Sequence, residues 1–277
     1  MPTPVAVLQE LWVYPLKSAA GVALPRSRVT LRGLEHDRRF MVVDRAGMLV
    51  TQRERAELAL VRTAFTGERL RLSAPGTLPL TLPLEPAGPP TVAVMWTTPV
   101  DALVVEAATP WVSTYLGGDY RLVWMPDSAH RPYPGRDDTP LSFADGNPLH
   151  LLSRASLGDL NGRLEVPVSM THFRPNLVVS GCDAYEEDGW DILQIGGLTL
   201  ERLGACARCM VVNVDPDAGT HSREPLRTLA RYRRTGQEVR FGGLYRVARG
   251  VGAVVSSGDA LTLPGGGDDG VGDDGAA

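Results

Sequence analysis

Two short stretches, Phe173-Arg174-Pro175-Asn176 and Gly204-Ala205-Cys206-Ala207-Arg208-Cys209, organise this sequence. A strand-like run at residues 176–180 leaves the first stretch, and an alternating run at 198–203 leads into the second. The pattern predicts that arginine, amide and thiol side chains stand at the ends of stiff strands. Arginine forks suit phosphate oxygens, and an adjacent arginine favours the thiolate form of a cysteine. We therefore expect a soft-metal or redox site that holds a phosphorylated group.

Further motifs surround these two stretches and follow one another in a recognisable order. They are Tyr14-Pro15-Leu16-Lys17-Ser18, Gly33-Leu34-Glu35-His36-Asp37-Arg38-Arg39-Phe40, Ser180-Gly181-Cys182-Asp183, Trp190, Ile195-Gly196 and Val214-Asp215-Pro216-Asp217-Ala218-Gly219-Thr220. Together they run from about residue 5 to 262 and resemble the MOSC domain preceded by its N-terminal β-barrel domain. The branch they resemble contains the mitochondrial amidoxime reducing component and its bacterial relatives.

The resemblance implies a mainly β fold with some α (α+β), made of an N-terminal MOSC β-barrel domain and a MOSC β-barrel domain. We place these domains at residues 1–125 and 126–264, followed by a disordered Gly/Asp tail at 265–277. The 30 glycines, 22 prolines and short apolar runs independently favour many brief strands joined by turns. Thr109-Pro110 opens a short helix that Gly117 ends, and Ser153 caps another.

Composition excludes several classes of protein. The net charge is −4, and Asp268, Asp269, Asp273 and Asp274 lie in the tail, so the body is formally neutral. A nucleic-acid binder usually carries a basic excess, and none is present. No apolar run approaches the ~20 residues that cross a membrane, and no secretory signal begins the sequence. Three cysteines do not make a disulfide framework, so we expect a cytoplasmic protein.

The Cys206-x-x-Cys209 pair allows three interpretations. A zinc site needs a second ligand pair, and the sequence offers only Cys182 with the isolated His172 and His221. A thioredoxin-like pair precedes a helix, whereas strand-like sequence flanks this one on both sides. The third interpretation is one thiolate bound to a metal that a cofactor mainly holds. The period-two alternation of a strand predicts that Cys206 faces away from Cys209 and is packed.

The resemblance implies a molybdenum cofactor (Mo-molybdopterin) in a cleft between the domains. Cys209 would be the metal ligand and the catalytic residue. The cofactor-binding residues implied in the same way are Lys17, Ser18, Arg38, Asp145, Gly146, Asn147, Arg174, Asn176 and Arg208. Each has an ordinary alternative: Lys17 as a surface lysine, Arg38 as the partner of Asp37, and residues 145–147 as a turn made of favoured turn residues.

The activity implied is reduction of small N-hydroxylated molecules, namely amidoximes, hydroxylamines and N-hydroxylated bases. No cysteine follows Cys209, so the electrons are expected from a separate donor protein of the iron–sulfur or flavoprotein type. The alternative function is a non-redox module that carries molybdenum cofactor or sulfur on Cys209. Tyr245 is left out of the site, because its surroundings are shifted by one residue from the family pattern.

Overall fold

The computed structural model describes residues 3–264. The predicted disordered tail at 265–277 lies outside this range. Within the range, no helix is both long enough and apolar enough to span a bilayer.

Strands dominate the chain. The earlier ones are β1 (Pro4–Val13), β2 (Val22–Leu24), β3 (Arg26–Thr30), β4 (Gly33–Leu34), β5 (Phe40–Asp44), β6 (Arg62–Thr66), β7 (Arg69–Ser73), β8 (Leu80–Pro83), β9 (Pro90–Met95), β10 (Thr98–Val104) and β11 (Tyr120–Trp124). The later ones are β12 (Pro132–Tyr133), β13 (Arg136–Pro140), β14 (Leu149–Ser153), β15 (Leu177–Ser180), β16 (Ile192–Ile195), β17 (Leu198–Ala207), β18 (Arg234–Thr235), β19 (Glu238–Arg249), β20 (Val254–Ser256) and β21 (Ala260–Thr262).

The helices of the described chain are short. They are α1 (Thr109–Leu116), α2 (Arg154–Asn161) and α3 (Leu226–Tyr232), with 3₁₀ turns at Ala56–Leu60, Glu106–Ala108, Met170–His172, Glu186–Gly189 and Met210–Asn213. Pro110 stands in the first turn of α1, and Gly117 ends it in the left-handed region at φ 65°. The Ser153 hydroxyl caps α2 by accepting from the Ser156 amide at 3.0 Å. The expected mainly β fold with short helices is confirmed.

Seven strands close into a barrel. Their order is β14, β15, β1, β21, β16, β17 and β19, and β19 pairs back with β14. The β14–β15 pair is parallel and the others are antiparallel. Closure gives each of these strands two neighbours, so their backbone groups are paired on both sides.

The first strand belongs to this barrel. Ala6 and Leu8 are buried, a bulge follows at Leu8/Glu10, and Leu11 and Val13 are buried beyond it. The inserted residue thus keeps the apolar side chains on the core face. β1 is therefore bonded to strands of the second half of the chain. The domain boundary expected at residues 125/126 remains a prediction.

Strands β5 to β11 form two further sheets outside the barrel. These are the sheet β5-β11-β10-β9 and the sheet β6-β7-β8. β5 is buried on both faces. Phe40 and Val42 belong to one hydrophobic cluster with Leu58, and Met41 and Val43 belong to a separate cluster.

Backbone bonds join the end of β1 to the start of β5. The Lys17 amide donates to the Phe40 carbonyl at 2.8 Å, and the Arg38 amide donates to the Tyr14 carbonyl at 2.8 Å. This connection brings the Lys17-Ser18 turn and Arg38 to the edge of the barrel.

Candidate active site

A cavity of about 480 Å³ lies where this connection meets the barrel. All ten residues expected from the sequence line it: Lys17, Ser18, Arg38, Asp145, Gly146, Asn147, Arg174, Asn176, Arg208 and Cys209. The structure thus brings together side chains up to about 190 positions apart in sequence, from Lys17 to Cys209. Their individual roles remain predictions.

Three of the lining residues have strained backbones. Ser18, Arg38 and Arg174 occupy the left-handed region, at φ 67°, 49° and 54°. Such conformations cost on the order of 1–3 kcal/mol each for non-glycine residues and persist where the surroundings enforce them. Their concentration here indicates that the fold sets the direction of these side chains at some cost in stability.

Asn176 holds part of the cavity wall together. It is 1% exposed. Its Oδ1 accepts from Arg38 Nη1 and from the His150 amide, both at 3.2 Å, and its Nδ2 donates to the Trp12 carbonyl at 3.1 Å. These protein contacts favour a role in positioning Arg38, alongside the expected contact with a cofactor.

Two arginines in the cavity have no acidic partner within the described part of the chain. Arg174 Nη1 donates to the Ala19 carbonyl at 2.6 Å, and Arg208 Nε donates to the Phe241 carbonyl at 2.8 Å. Neither has a carboxylate oxygen within 4.0 Å among residues 3–264, whereas Arg38 pairs with Asp37. Burial lowers the pKa of Arg174 to about 10, which leaves the guanidinium charged at neutral pH. Two uncompensated guanidinium groups favour a bound anion.

Tyr14 supports two of the guanidinium groups. Its ring centroid lies 4.5 Å from Arg38 Cζ and 4.3 Å from Arg174 Cζ. The side chain is 1% exposed, and in the described part of the chain its hydroxyl has no hydrogen-bond partner. Burial raises the pKa of this phenol, so the ring is neutral. Tyr14 thus contributes its ring face to Arg38 and Arg174.

Two substitutions of Tyr14 distinguish the contribution of its ring to stability from that of its hydroxyl. We expect Tyr14→Phe to keep the free energy of unfolding or raise it slightly, because the hydroxyl has no partner. Tyr14→Leu should lower it by about 2–4 kcal/mol, since it loses buried aromatic volume and two cation–π contacts. Urea unfolding of the purified proteins measures both. Equal losses of unfolding free energy in Tyr14→Phe and Tyr14→Leu would contradict a stabilising role for the ring.

An ion pair between buried Lys17 and exposed Asp145 also lines the cavity. Lys17 Nζ donates to Asp145 Oδ1 at 2.5 Å and to the Phe143 carbonyl at 2.9 Å. Burial lowers the pKa of Lys17, and the Asp145 carboxylate opposes that effect. Burial alone would raise the pKa of Asp145, but the Lys17 ammonium outweighs it and the pKa lies below its ordinary value. The contact therefore favours the charged form of both groups.

Arg131, which the sequence did not single out, holds the loop that carries Asp145. It is 7% exposed, and its guanidinium donates to the carbonyls of Ser142, Ala144 (2.7 Å) and Asp145 (3.2 Å). These hydrogen bonds hold the turn at residues 145–147 in place. Its sequence context is an aperiodic loop, part of which forms the hairpin β12–β13.

Cys209 is exposed at the cavity. Arg53 Nη2 lies 3.1 Å from its Sγ and 3.5 Å from Asp145 Oδ2. Arg53 was also missed from the sequence, because it lies in a loop of the first half with no motif of its own. Its contact shows that both halves of the chain meet at the thiol.

The expectation that Cys206 faces away from Cys209 is wrong. Cys206 lines the same cavity and is partly exposed. The register between β17 and β19 shifts at Ala205/Ala207, and β17 ends at Ala207. Period-two alternation therefore does not extend from Cys206 to Cys209. Burial raises the pKa of the Cys206 thiol, which favours its protonated form.

His150 is another buried member that sequence reasoning missed. Its Nε2 lies 2.5 Å from Arg208 Nη2, which is a donor, so Nε2 accepts and the ring is neutral. A Cβ on Gly242 would lie 2.7 Å from this Nε2, and the φ of +83° also requires glycine there. Burial, with Arg208 and Arg38, lowers the pKa of His150 well below its ordinary value.

This pKa predicts a pH dependence of stability. Below about pH 6.5 the unfolded chain binds a proton at His150 that the folded chain does not, so unfolding becomes easier as the pH falls. One such proton contributes a slope of up to about 1.4 kcal/mol per pH unit. We expect the free energy of unfolding to fall less steeply between pH 6.5 and 5 in His150→Gln than in wild type. His36 and His172, whose pKa values burial also lowers, contribute equally to both proteins. Identical slopes would contradict the assignment.

The donor set of the cavity is cationic, with two thiols, of which Cys209 is the exposed one. Five lining side chains are basic (Lys17, Arg38, Arg53, Arg174, Arg208), and two are acidic (Asp145, Glu238). In residues 3–264, no cluster of three or more His, Cys, Asp or Glu side chains is arranged to hold a metal ion. The exposed thiol can bind a soft metal. The arrangement defines a β protein with a cationic cavity and an accessible cysteine in its lining.

Comparison with known proteins agrees with this description. The MOSC N-terminal beta barrel domain matches residues 5–119, and the MOSC domain matches residues 138–262. This chain belongs to the MOSC domain family. It is 39% identical over 247 residues to mitochondrial amidoxime-reducing component 1 of Homo sapiens, covering 83% of this chain and 72% of that protein. It is 37% identical to mitochondrial amidoxime reducing component 2 of Rattus norvegicus, covering 83% and 73%. The family expected from the motifs is confirmed.

Proposed function

We propose that this protein is a molybdenum-cofactor-dependent oxidoreductase that reduces small N-hydroxylated molecules. The observation that carries the proposal is the exposed Cys209 thiol in the same cavity as Arg174 and Arg208, two guanidinium groups without carboxylate partners in the described chain. The names of the relatives support the reaction, since they describe amidoxime-reducing components. Amidoximes are N-hydroxylated amidines, and hydroxylamines and N-hydroxylated bases share the same N–O group.

The residues present fit this cofactor. Arg174 and Arg208 would bind its phosphate, because charge-assisted bonds from guanidinium to phosphate are strong and bidentate. Lys17, Ser18, Arg38 and the turn at 145–147 would contact the pterin. Cys209 would be the protein's one thiolate ligand to the metal. When bound, the cofactor supplies the two-electron chemistry that removes an oxygen atom.

The protein's own contribution is then to bind and orient. The strained backbones of Ser18, Arg38 and Arg174 fix three cofactor contacts before binding, which reduces the entropy lost on binding. Neutral His150 and Asn176 hold Arg208 and Arg38. Lys17 and Asp145 keep their charges through mutual contact.

We further propose that electrons arrive from a separate protein of the iron–sulfur or flavoprotein type. The sequence has three cysteines, fewer than the four thiolates that usually hold an iron–sulfur cluster. We propose a cytoplasmic location, although the two relatives named above are mitochondrial proteins.

One purification and one assay test the proposal. Protein from a molybdenum-replete host should contain about one molybdenum and one pterin per chain. It should reduce benzamidoxime to benzamidine with a dithionite-reduced dye, and should not oxidise NADH by itself. Zinc in place of molybdenum would contradict the cofactor. Bound cofactor with no reduction of any N-hydroxylated compound would favour the carrier function instead.

A further inference from the structure

Arg53 differs from the other arginines of the cavity in what it contacts. Arg38 and Arg208 donate hydrogen bonds to backbone carbonyls. Arg53 instead lies between the Cys209 sulfur and the Asp145 carboxylate. Since Cys209 is exposed, the guanidinium of Arg53 contacts a sulfur that solvent can reach.

The backbone that carries Arg53 is fixed to the cavity floor. The Gln52 amide donates to Ser18 Oγ at 3.2 Å, and Gln52 Nε2 donates to the Ser18 carbonyl at 2.6 Å. Glu54 accepts from the Thr51 amide at 3.1 Å and from its hydroxyl at 2.7 Å. Arg53 is thus presented on a rigid loop that shares its support with the Lys17-Ser18 turn.

Trp96 lies against the other side of this guanidinium. Arg53 Cζ is 4.6 Å from the centroid of the Trp96 ring. Trp96 and Thr97 form the two-residue turn between β9 and β10. Trp96 has φ 57°, in a turn position that glycine normally fills. Yet 44% of the residue stays exposed, so burial does not account for a bulky side chain here. A strained, exposed aromatic that packs on an arginine of the cavity indicates a binding element.

We propose that Arg53 and Trp96 form a substrate-binding wall that makes this site prefer planar, aryl-substituted N-hydroxylated substrates. This inference rests on the proposed function. The N–H groups of Arg53 can donate to the substrate oxygen beside Cys209, because they already lie 3.1 Å from the sulfur. Arg53 contacts both the Cys209 sulfur and the Trp96 ring, so an aryl group on the amidoxime carbon would extend along the guanidinium towards the indole. Aromatic rings stack on indole and on guanidinium planes.

A matched pair of substrates tests how Arg53 and Trp96 contribute to substrate preference. Benzamidoxime and acetamidoxime share the same N-hydroxyamidine head, but only the first has a ring. Wild type should favour benzamidoxime in kcat/KM, mainly through KM. Trp96→Gly, which also relieves the positive φ, should reduce that preference about tenfold, the size of one aromatic contact. Thr97→Gly in the same turn controls for damage to the hairpin and should keep the preference. Arg53→Lys should weaken both substrates, because it loses the planar fork.

Binding without turnover provides a second readout. With no reductant present, calorimetric titration of wild type with each oxime should give a lower Kd for benzamidoxime, and Trp96→Gly should bring the two Kd values together. An unchanged ratio of Kd values, or equal weakening of both oximes in Trp96→Gly, would overturn the wall while leaving the proposed function standing. If wild type reduces neither oxime, the proposed function itself fails, and the wall as a substrate element fails with it.

Discussion

Cys209→Ser should lower benzamidoxime reduction by more than about 100-fold, because even outer-shell changes at metal sites cost 10- to 100-fold. An alcohol is a harder and far less acidic ligand than a thiol, so serine cannot replace a thiolate on a soft metal. The pterin should remain bound, since the phosphate and ring contacts proposed above belong to other residues. Steady-state turnover and pterin fluorescence after oxidation measure the two effects separately.

Cys206→Ser is the matched control in the same cavity. The thiol of Cys206 is partly exposed, and burial raises its pKa. The substitution should therefore cost on the order of 1 kcal/mol of stability and leave most of the activity. If Cys206→Ser is inactive, or if both variants are equally impaired, the single-ligand interpretation is wrong and a dithiol mechanism should replace it.

Arg174→Met should produce the second large effect, a loss of cofactor. Each charge-assisted hydrogen bond contributes about 1.5–3 kcal/mol, so losing a bidentate contact should weaken cofactor retention by about 100-fold or more. The cofactor-free variant should unfold at the same temperature as cofactor-free wild type or higher, because Arg174 is a partly buried charge with no carboxylate partner in residues 3–264.

Pterin content and thermal unfolding of the cofactor-free proteins test this pair of expectations. Arg154→Met is the control, because Arg154 is exposed, pairs with Glu10 and lies outside the cavity. It should retain the cofactor. A destabilised Arg174→Met protein with normal pterin content would show that Arg174 is a structural residue rather than an anion ligand.

Sequence alone predicted the family, the mainly β fold and ten residues of one cavity. Each of these was carried by a contiguous string, such as Tyr14-Pro15-Leu16-Lys17-Ser18, in which the strand end and the functional side chain are neighbours. Residues of this kind are visible because the strand that positions them adjoins them in sequence.

The remaining members of the site depend on tertiary contacts. Arg53 contacts Cys209 from a loop, and Trp96 packs on Arg53 from the turn between β9 and β10. His150 is identified only by the arginine that reaches it. Strand alternation gave the wrong direction for Cys206, because a register shift at Ala205/Ala207 and the end of β17 interrupt the pattern. No local sequence signal marks either event.

The place of β1 in the barrel has a consequence for biosynthesis. This strand is synthesised before the other barrel strands, and its two barrel neighbours are β15 and β21, which begin at residues 177 and 260. At translation rates of 5–20 residues per second, the nascent strand waits on the order of ten seconds for its first barrel neighbour, although the short β2 can pair with its end earlier. During that interval its apolar side chains, Leu8 and Leu11 among them, have no barrel to enter, so β1 is a natural binding segment for a chaperone on the growing chain.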